Sequence, residues 1–277
     1  MRRHADVGKF LQASGPFLTA REAEHNLILG IVANLRDGND VYDAAVYLAT
    51  VSAGDRIVAV AIQTPPHNLV LSEVDDPVAI DLLADDLVHR DLPGALGPVD
   101  HVRAFVEARM ARGGSPGRLH VSERIFRLTA VRSLPPVSGR MRAATTADRE
   151  LVIDWVAAFL AEALEPVERS EAADLADRWI AGRGRTLSLW EDGAVVSLAG
   201  IGSPTPHGVR VGPVYTPPEM RGRGYASALV AAISQAALDE GRQFCFLFTD
   251  LANPTSNHIY QVIGYEAVRD VDLWRFD

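Results

Sequence analysis

The sequence predicts an α/β (α+β) chain built as two similar halves, each a mixed sheet flanked by helices. The first observation is an echo between residues 57–72, IVAVAIQTPPHNLVLS, and 195–212, VVSLAGIGSPTPHGVRVG. Each reads as an apolar strand, a proline-histidine turn and a second strand with β-branched residues. Upstream of each lies another strand ending in a glycine turn: YLATVSAGD, and LSLWEDG with its Asp192-Gly193 hairpin signal. The third observation is that RIFRL at 124–128 matches DLWRF at 272–276. Three matches in one order indicate a duplicated domain. Between the halves, SLPPVSG sustains neither a helical nor a strand period and reads as a linker. The expected division is a first domain at 1–132, a linker at 133–139 and a second domain at 140–277.

The elements of the second half follow in order. GRMRAA reads as a short strand leading to a helix from Ala147, with Leu151, Trp155, Phe159 and Ala163 as its inward stripe. A second helix, near residues 170–181, follows Pro166. TLSLW, AVVSLAGIG and VRVGPVYT read as three strands. A glycine–arginine loop then feeds a helix with Leu229, Ile233, Ala236 and Ala237 facing inward and Gly241 closing it. FCFLFTD is a buried strand. The segment 254–262 is a short helix begun by a proline and capped from Asn253, and YEAVRDVDLWRF is a final strand or pair.

Composition limits the function. A net charge of −9 and a pI near 5.4 argue against a general grip on nucleic acid or anionic lipid. The single cysteine, Cys245, lies in an apolar strand, so it forms no intrachain disulfide and suits a reducing compartment. The basic start MRRHADVGKFLQASG lacks the apolar core of a signal peptide. No run of about eighteen apolar residues marks a membrane span. A soluble, cytoplasmic protein is expected. Its eight histidines and one cysteine show no zinc spacing, and no metal is expected.

The chemistry concentrates in PEMRGRGYASALV, residues 218–230. Glycines let backbone N–H groups approach a ligand because no Cβ intervenes. A loop that runs straight into a helix aims unpaired N–H groups and the positive dipole end at one point, which is how helices hold phosphate. Arg221 and Arg223 add charge that pairs with phosphate oxygens. The pattern suits a pyrophosphate cradle. It lacks the lysine of a P-loop. Gly222-x-Gly224-x-x-Ser227 approaches the dinucleotide fingerprint, but only 27 residues follow Asp250, too few to finish a doubly wound sheet.

Arg221-Gly222-Arg223-Gly224-Tyr225-Ala226 resembles the Arg/Gln-x-x-Gly-x-Gly/Ala signature of the GNAT acyl-CoA N-acyltransferases. VGPVYTPPEM resembles the strand and proline turn that precede it, and NPTSNHIYQVIGYEAV the closing helix. The likeness runs from Arg140 to the C-terminus. It implies two GNAT-like domains with mixed, mostly antiparallel sheets, and acetyl-CoA as co-substrate. Residues 221–226 would bind its pyrophosphate through backbone N–H groups. Val214, Tyr215 and Thr216 would pair with the pantetheine amides like an added strand. Asn253 and Asn257 would meet the pantetheine arm. Tyr260 would be the general acid that protonates the departing thiolate. The acceptor would be an amine, on a small molecule or a protein, attacking directly; a homodimer stays open.

Simpler readings stand beside these. Tyr260 can pack by its ring alone, Asn253 can serve only as a helix cap, and Trp155 and Phe159 can be core or substrate wall. The general base is open among Glu162, Glu165, Glu168, Glu191, Asp192 and Asp250. The first half follows LVLS with EVDDPVAIDLL, placing Glu73, Asp75 and Asp76 where a cradle needs glycine and arginine. Carboxylates there repel pyrophosphate, so this half reads as a degenerate copy that has lost its cofactor. The rival to an enzyme is a non-catalytic acyl-CoA-binding regulatory protein.

Overall fold

The computed structural model describes residues 1–38, 45–163 and 166–277. The first half comprises β1 (Arg2–Arg3), α1 (Val7–Thr19), α2 (Asn26–Arg36), β2 (Tyr47–Ala53), β3 (Arg56–Gln63), β4 (Leu69–Leu71), α3 (Val78–Leu87), β5 (Gly94–Pro98), α4 (Val99–Ala111) and β6 (Gly117–Leu128). The second comprises β7 (Arg140–Ala143), α5 (Arg149–Ala163), α6 (Arg169–Ile180), β8 (Arg185–Asp192), β9 (Ala194–Gly202), β10 (Gly208–Tyr215), α7 (Tyr225–Asp239), β11 (Phe244–Asp250), α8 (Pro254–Ile263) and β12 (Glu266–Phe276). From β2 to β6 and from β8 to β12 the order of strands and helices is the same.

The chain folds as two compact units. One is Met1–Ile125 with Phe248–Ala252 and Ala267–Asp277; the other is Phe126–Leu247 with Asn253–Glu266. In the first, the strand order is β1-β2-β3-β4-β5-β12-β6. The pairs are antiparallel at β1/β2, β2/β3, β3/β4 and β5/β12, and parallel at β4/β5. Helices α1 and α2 cover one face through Phe10, Leu18, Ile28 and Val32, against Leu48, Val60 and Ile62. Helices α3 and α4 cover the other through Leu83, Leu87 and Phe105, against Ala49, Val58 and Leu71. Burial on both faces explains why β3 reads VAVAI with no polar alternation. Helix α1 starts at Asp6, whose carboxylate accepts from the Lys9 N–H at 2.7 Å.

In the second unit the order is β11-β10-β9-β8-β7, antiparallel except for β10/β11. Helices α5 and α6 pack on one face against Leu187, Leu189 and Leu198. Helices α7 and α8 cover the other, with Leu229, Ile233 and Ile263 against Val196, Val209 and Val211. The β8/β9 hairpin turns at Gly193, which has φ +71°.

Several expectations need correction. The buried residues of α5 are Val152, Ile153 and Val156, while Leu151, Trp155 and Phe159 are partly buried and Ala163 is exposed. The helix begins at Arg149, after a 3₁₀ turn over Thr146–Asp148, and presents its β-branched edge to the sheet. Ala236 of α7 is only partly buried. Of the two readings of the C-terminal segment, the single strand holds, as β12.

The compact units also divide elsewhere than the expected linker. Residues 133–139 lie within the second unit and 267–277 within the first. The physical reason is strand exchange. β12 pairs with β5, Val271 opposite Pro98 and Trp274 opposite Ala95. Phe126 and Leu128, from the end of β6, enter the core around Val209 and Ile263. The matched segments RIFRL and DLWRF lie at the ends of β6 and β12.

The loop between β4 and α3 is the first unit's counterpart of the glycine–arginine loop, and its polar groups are bound locally. The buried Glu73 carboxylate accepts from Arg269 Nε at 2.7 Å. Asp75 accepts from Arg21 at 2.5 Å and Arg56 at 3.2 Å. The N–H groups that a phosphate would need are engaged as well. Glu73 donates to His25 Nε2, Val74 to His101 Nδ1, and Asp75 to the Val58 carbonyl. With Nε2 accepting, His25 donates through Nδ1 to the Leu18 carbonyl at 3.0 Å. It is thus neutral, and burial pushes its pKa down to about 4.

The sign of the pH effect follows. Between pH 6.5 and 4 the unfolded chain holds a proton on His25 that the folded chain lacks, so stability falls as the medium is acidified across that window. One such proton is worth about 1.4 kcal/mol per pH unit. His101, whose pKa burial also lowers, adds in the same direction. Urea unfolding at pH 7, 6, 5 and 4 should show this loss. A His25→Gln variant should show a shallower slope, and an unchanged slope would remove His25 as its source.

Candidate active site

Strand β10 organises the site. It pairs with β11 only over Gly208–Phe244, Val209–Cys245 and Arg210–Phe246. Its farther half is held by β9, with Val214 opposite Ala199 and Tyr215 opposite Leu198. A register shift separates Val211 from Val214, where the Gly212-Pro213 peptide is cis. Beyond Arg210, one edge of β10 therefore has no β11 partner among the described residues.

The chain leaves β10 through a 3₁₀ turn at Pro218–Met220 and enters α7 at the glycine–arginine loop. Gly222 and Gly224 have φ +76° and +79°. This left-handed backbone costs other L-residues about 1–2 kcal/mol each. A Cβ on Gly224 would also lie 3.1 Å from Val137 Cγ2, whereas Gly222 faces open space. Gly224 is the N-cap and has no side chain to satisfy the first turn. Among the described residues, the N–H groups of residues 222–227 donate to no side chain and to no carbonyl outside the helix. These donors and the helix dipole converge on one exposed loop.

The loop is braced from behind. The Tyr225 hydroxyl donates to Asp192 Oδ2 at 2.7 Å, and the Ser138 hydroxyl donates to the same oxygen at 2.7 Å. Those two bonds, Ser138 first, hold the Asp192 carboxyl below its usual pKa. Trp190 Nε1 donates to the Ser138 carbonyl. The segment read as a linker is thus a support for the cradle. The side chain of Tyr225 points into the protein, and only its backbone faces the loop.

Arg221 reaches across the site. Its Nε donates to the Thr216 carbonyl at 2.8 Å, and Nη2 donates to both carboxylate oxygens of Glu162 at 2.9 and 2.7 Å. The guanidinium lies over the Tyr215 ring, 5.9 Å from its centre, and Trp155 meets the same ring at 5.9 Å. Arg223 donates to the Glu219 carbonyl at 3.3 Å. The Ser197 hydroxyl meets both the Tyr215 carbonyl and the Thr216 hydroxyl. Val214 packs among the cores beneath. Ala226 is a first-turn residue of α7.

Helix α8 presents the remaining expected residues. The Asn253 side chain accepts from the Ser256 N–H at 3.0 Å, and Asn257 Nδ2 donates to the Asn253 carbonyl at 2.8 Å. Both amides therefore support the helix start. Tyr260 lies one turn beyond Asn257, its ring between Phe126 at 6.5 Å and Tyr265 at 5.9 Å. Burial pushes its phenol up to about 12. Cys245 is buried and its thiol is pushed up to about 11 by the same cause, so it is an inert core group.

The acidic residues considered as bases separate clearly. Glu191 is paired with Arg142, and Asp192 with Ser138 and Tyr225. Glu168 sits at the N-cap of α6. Asp250 belongs to the first unit, and Glu165 lies outside the described residues. Glu162 is ion-paired with a loop arginine, Arg221. Nothing in the sequence pattern joins Glu162 to Arg221, since 59 positions separate them. Among the described residues no group of three His, Cys, Asp or Glu could hold a metal ion, and no helix is long and apolar enough to cross a membrane.

Comparison with known proteins agrees with this geometry. Residues 151–265 match the model of the acetyltransferase (GNAT) family. No curated protein matches the chain. Among solved structures, a Drosophila protein aligns over 100% of this chain and 98% of its own, with TM-score 0.69 and 15% identity. A tandem GNAT protein from the clavulanic acid biosynthesis pathway aligns over 89% of this chain and 86% of its own, with TM-score 0.56 and 14% identity. A GCN5-related N-acetyltransferase from Sphaerobacter thermophilus aligns over 88% and 84%, with TM-score 0.57 and 15% identity. Identities this low speak to fold alone, and the fold they share extends over both halves of the chain. Residues 151–265 thus match the acetyltransferase (GNAT) family model, in a chain that shares its fold with a tandem GNAT protein.

Proposed function

We propose that this protein is an N-acetyltransferase that moves the acetyl group of acetyl-CoA to an amine by direct attack. The match of residues 151–265 to the acetyltransferase (GNAT) family model supports acyl-CoA-dependent transfer in general. The observation that supports the fuller reading is the cradle at the start of α7, with uncapped N–H groups beside the half of β10 that lacks a β11 partner. The residues present fit coenzyme A. The N–H groups of residues 222–226 would hold its pyrophosphate, with Arg221 and Arg223 alongside. The open edge at Val214, Tyr215 and Thr216 would pair with the pantetheine amides, and Asn253 and Asn257 would flank the arm. The lone buried Cys245 suits a cytoplasmic, reducing setting.

The chemistry then needs few groups. The neutral amine nitrogen attacks the thioester carbonyl carbon, and strand N–H groups stabilise the tetrahedral oxyanion. As the carbon–sulfur bond breaks, Tyr260 gives its phenolic proton to the thiolate, and the nitrogen loses its proton to water or a carboxylate. A phenol titrating near 12 stays protonated throughout the neutral range, as a donor must. Holding donor and acceptor together supplies proximity. The second reading, a non-catalytic acyl-CoA-binding regulator, keeps the cradle and drops the transfer. The observation in its favour is that Tyr260 is seated by its ring between two core aromatics. Release of free CoA with a panel of amines separates the two, since binding without release supports the regulator.

Calorimetry should find one CoA site per chain, because the β4–α3 loop of the first unit has its N–H groups and carboxylates already engaged. Two sites of similar affinity would contradict that. Gly224→Val should lower CoA affinity tenfold or more, about 1.4 kcal/mol, and should also destabilise the second unit through its φ of +79° and Val137. Gly222→Ala removes the clash with the protein but not the backbone strain, because its Cβ meets nothing while its φ is +76°, so melting curves must accompany the affinity. If CoA affinity survives both changes, the loop is not the phosphate site. Tyr260→Phe keeps the ring and removes the proton. The kcat for thiol release at saturating amine should then fall by about 10² to 10⁴, with little change in KM for acetyl-CoA. A kcat within about threefold of wild type, with chemistry rate-limiting, would leave Tyr260 a packing residue.

A further inference from the structure

The two residues that meet at the mouth of the site have conflicting obligations. Arg221 belongs to the cradle, yet its Nη2 lies 2.9 and 2.7 Å from the two carboxylate oxygens of Glu162. Its Nε is also bound, to the Thr216 carbonyl, so the planar guanidinium turns toward a new anion as one rigid fork about its flexible stem. Glu162 lies near the C-terminal end of α5, the helix that carries Trp155 against Tyr215. The pair is about half exposed, so it is weakly held and easily exchanged. A pyrophosphate carries more charge than a carboxylate and offers more acceptor oxygens, and an arginine fork favours it.

We propose that Arg221 and Glu162 form an exchange latch. The pyrophosphate of acyl-CoA draws Arg221 off Glu162, and the freed carboxylate then receives the ammonium of a cationic acceptor. This rests on the acyl-CoA reading of the cradle and deepens it by naming the acceptor class and the order of binding. Without coenzyme, Arg221 neutralises the carboxylate and fills the place an ammonium would take. With coenzyme bound, a negative group is exposed beside Tyr215, at the end of the strand where transfer would occur. Of the other described acidic candidates of the second unit, Glu191 is bound by Arg142 and Asp192 by Ser138 and Tyr225. A net charge of −9 draws cations toward the protein and acts in the same sense.

The latch predicts a coupling that a passive surface pair would not show. Opening an exposed pair costs binding energy, so Glu162→Gln should tighten CoA by about two- to fivefold at low salt. Arg221→Gln should weaken CoA, and adding Glu162→Gln to it should change nothing further, because the competitor has lost its target. Calorimetry on the four full-length proteins, with melting curves to confirm folding, reads this cycle. The acceptor half is read with butylammonium as probe and aniline as the uncharged control, by ligand-observed NMR. Butylammonium should contact wild type only when CoA is saturating, and should lose that contact in Glu162→Gln.

Each failure has a distinct meaning. If wild type binds no CoA, the cradle reading itself fails. If CoA binds but Glu162→Gln leaves its affinity unchanged, or acts equally in the Arg221→Gln background, the latch is overturned. If butylammonium binds alike with and without CoA, or aniline binds equally well, Glu162 is not the acceptor's seat.

Discussion

The second unit is organised around a backbone problem at the start of α7. To enter that helix from β10 the chain passes through left-handed conformations at Gly222 and Gly224. Glycine accepts such a φ without the Cβ penalty. The same choice leaves the helix without a capping side chain, so its first N–H groups stay unsatisfied by the protein. The cradle and the bare helix end are therefore one feature. Its rigidity comes from side chains behind it, where Tyr225, Asp192, Ser138 and Trp190 form a connected set of hydrogen bonds. A loop of glycines alone would lose too much entropy on ordering to present its donors in one arrangement.

The first unit shows what happens when the same element order loses that constraint. Its loop between β4 and α3 has no glycine, and its donors are consumed by His25, His101 and the Val58 carbonyl. The Glu73 carboxylate, buried there, is matched by Arg269 from β12. That partner arrives only because β12 pairs with β5. Strand exchange thus supplies the cation that keeps a buried acid tolerable, since an unpaired carboxylate at that depth would be costly.

How much of this was legible in the sequence depends on the range of the interactions. The repeated strand–turn–strand pattern, the cradle glycines and the Asn253 cap are local, and a local pattern can be read from neighbours a few residues apart. Helices α1 and α2 carry no sequence motif. The spacing in α5 points inward through Leu151, Trp155, Phe159 and Ala163, whereas the sheet takes Val152, Ile153 and Val156. A helix that is apolar around much of its circumference gives no unique stripe, and tertiary packing decides. The placement of β12 in the first unit shows in the sequence only as likeness between RIFRL and DLWRF. Such likeness shows that two strands are equivalent and says nothing about which sheet each joins.

The site residues divide along the same line. Motif positions within the loop and α8 lie where their spacing put them, but several side chains serve the fold as well. Asn253 caps, Asn257 braces the first turn, and Tyr225 turns inward to Asp192. A residue that both builds the loop and meets the ligand cannot be assigned by its presence in a motif; only variants that keep the fold separate the two duties. Glu162 is the converse case. It has no motif, sits in an acidic run that reads as solvated surface, and gains meaning only from its 2.7 Å approach to Arg221. Long-range pairs of this kind are where a structure adds to a sequence, because charge complementarity across 59 positions leaves no periodic trace. The pair also offsets the charge of a cationic loop within the protein itself. Arg221 is held by Glu162, the Thr216 carbonyl and the Tyr215 ring, so its guanidinium waits in position with its charge already offset.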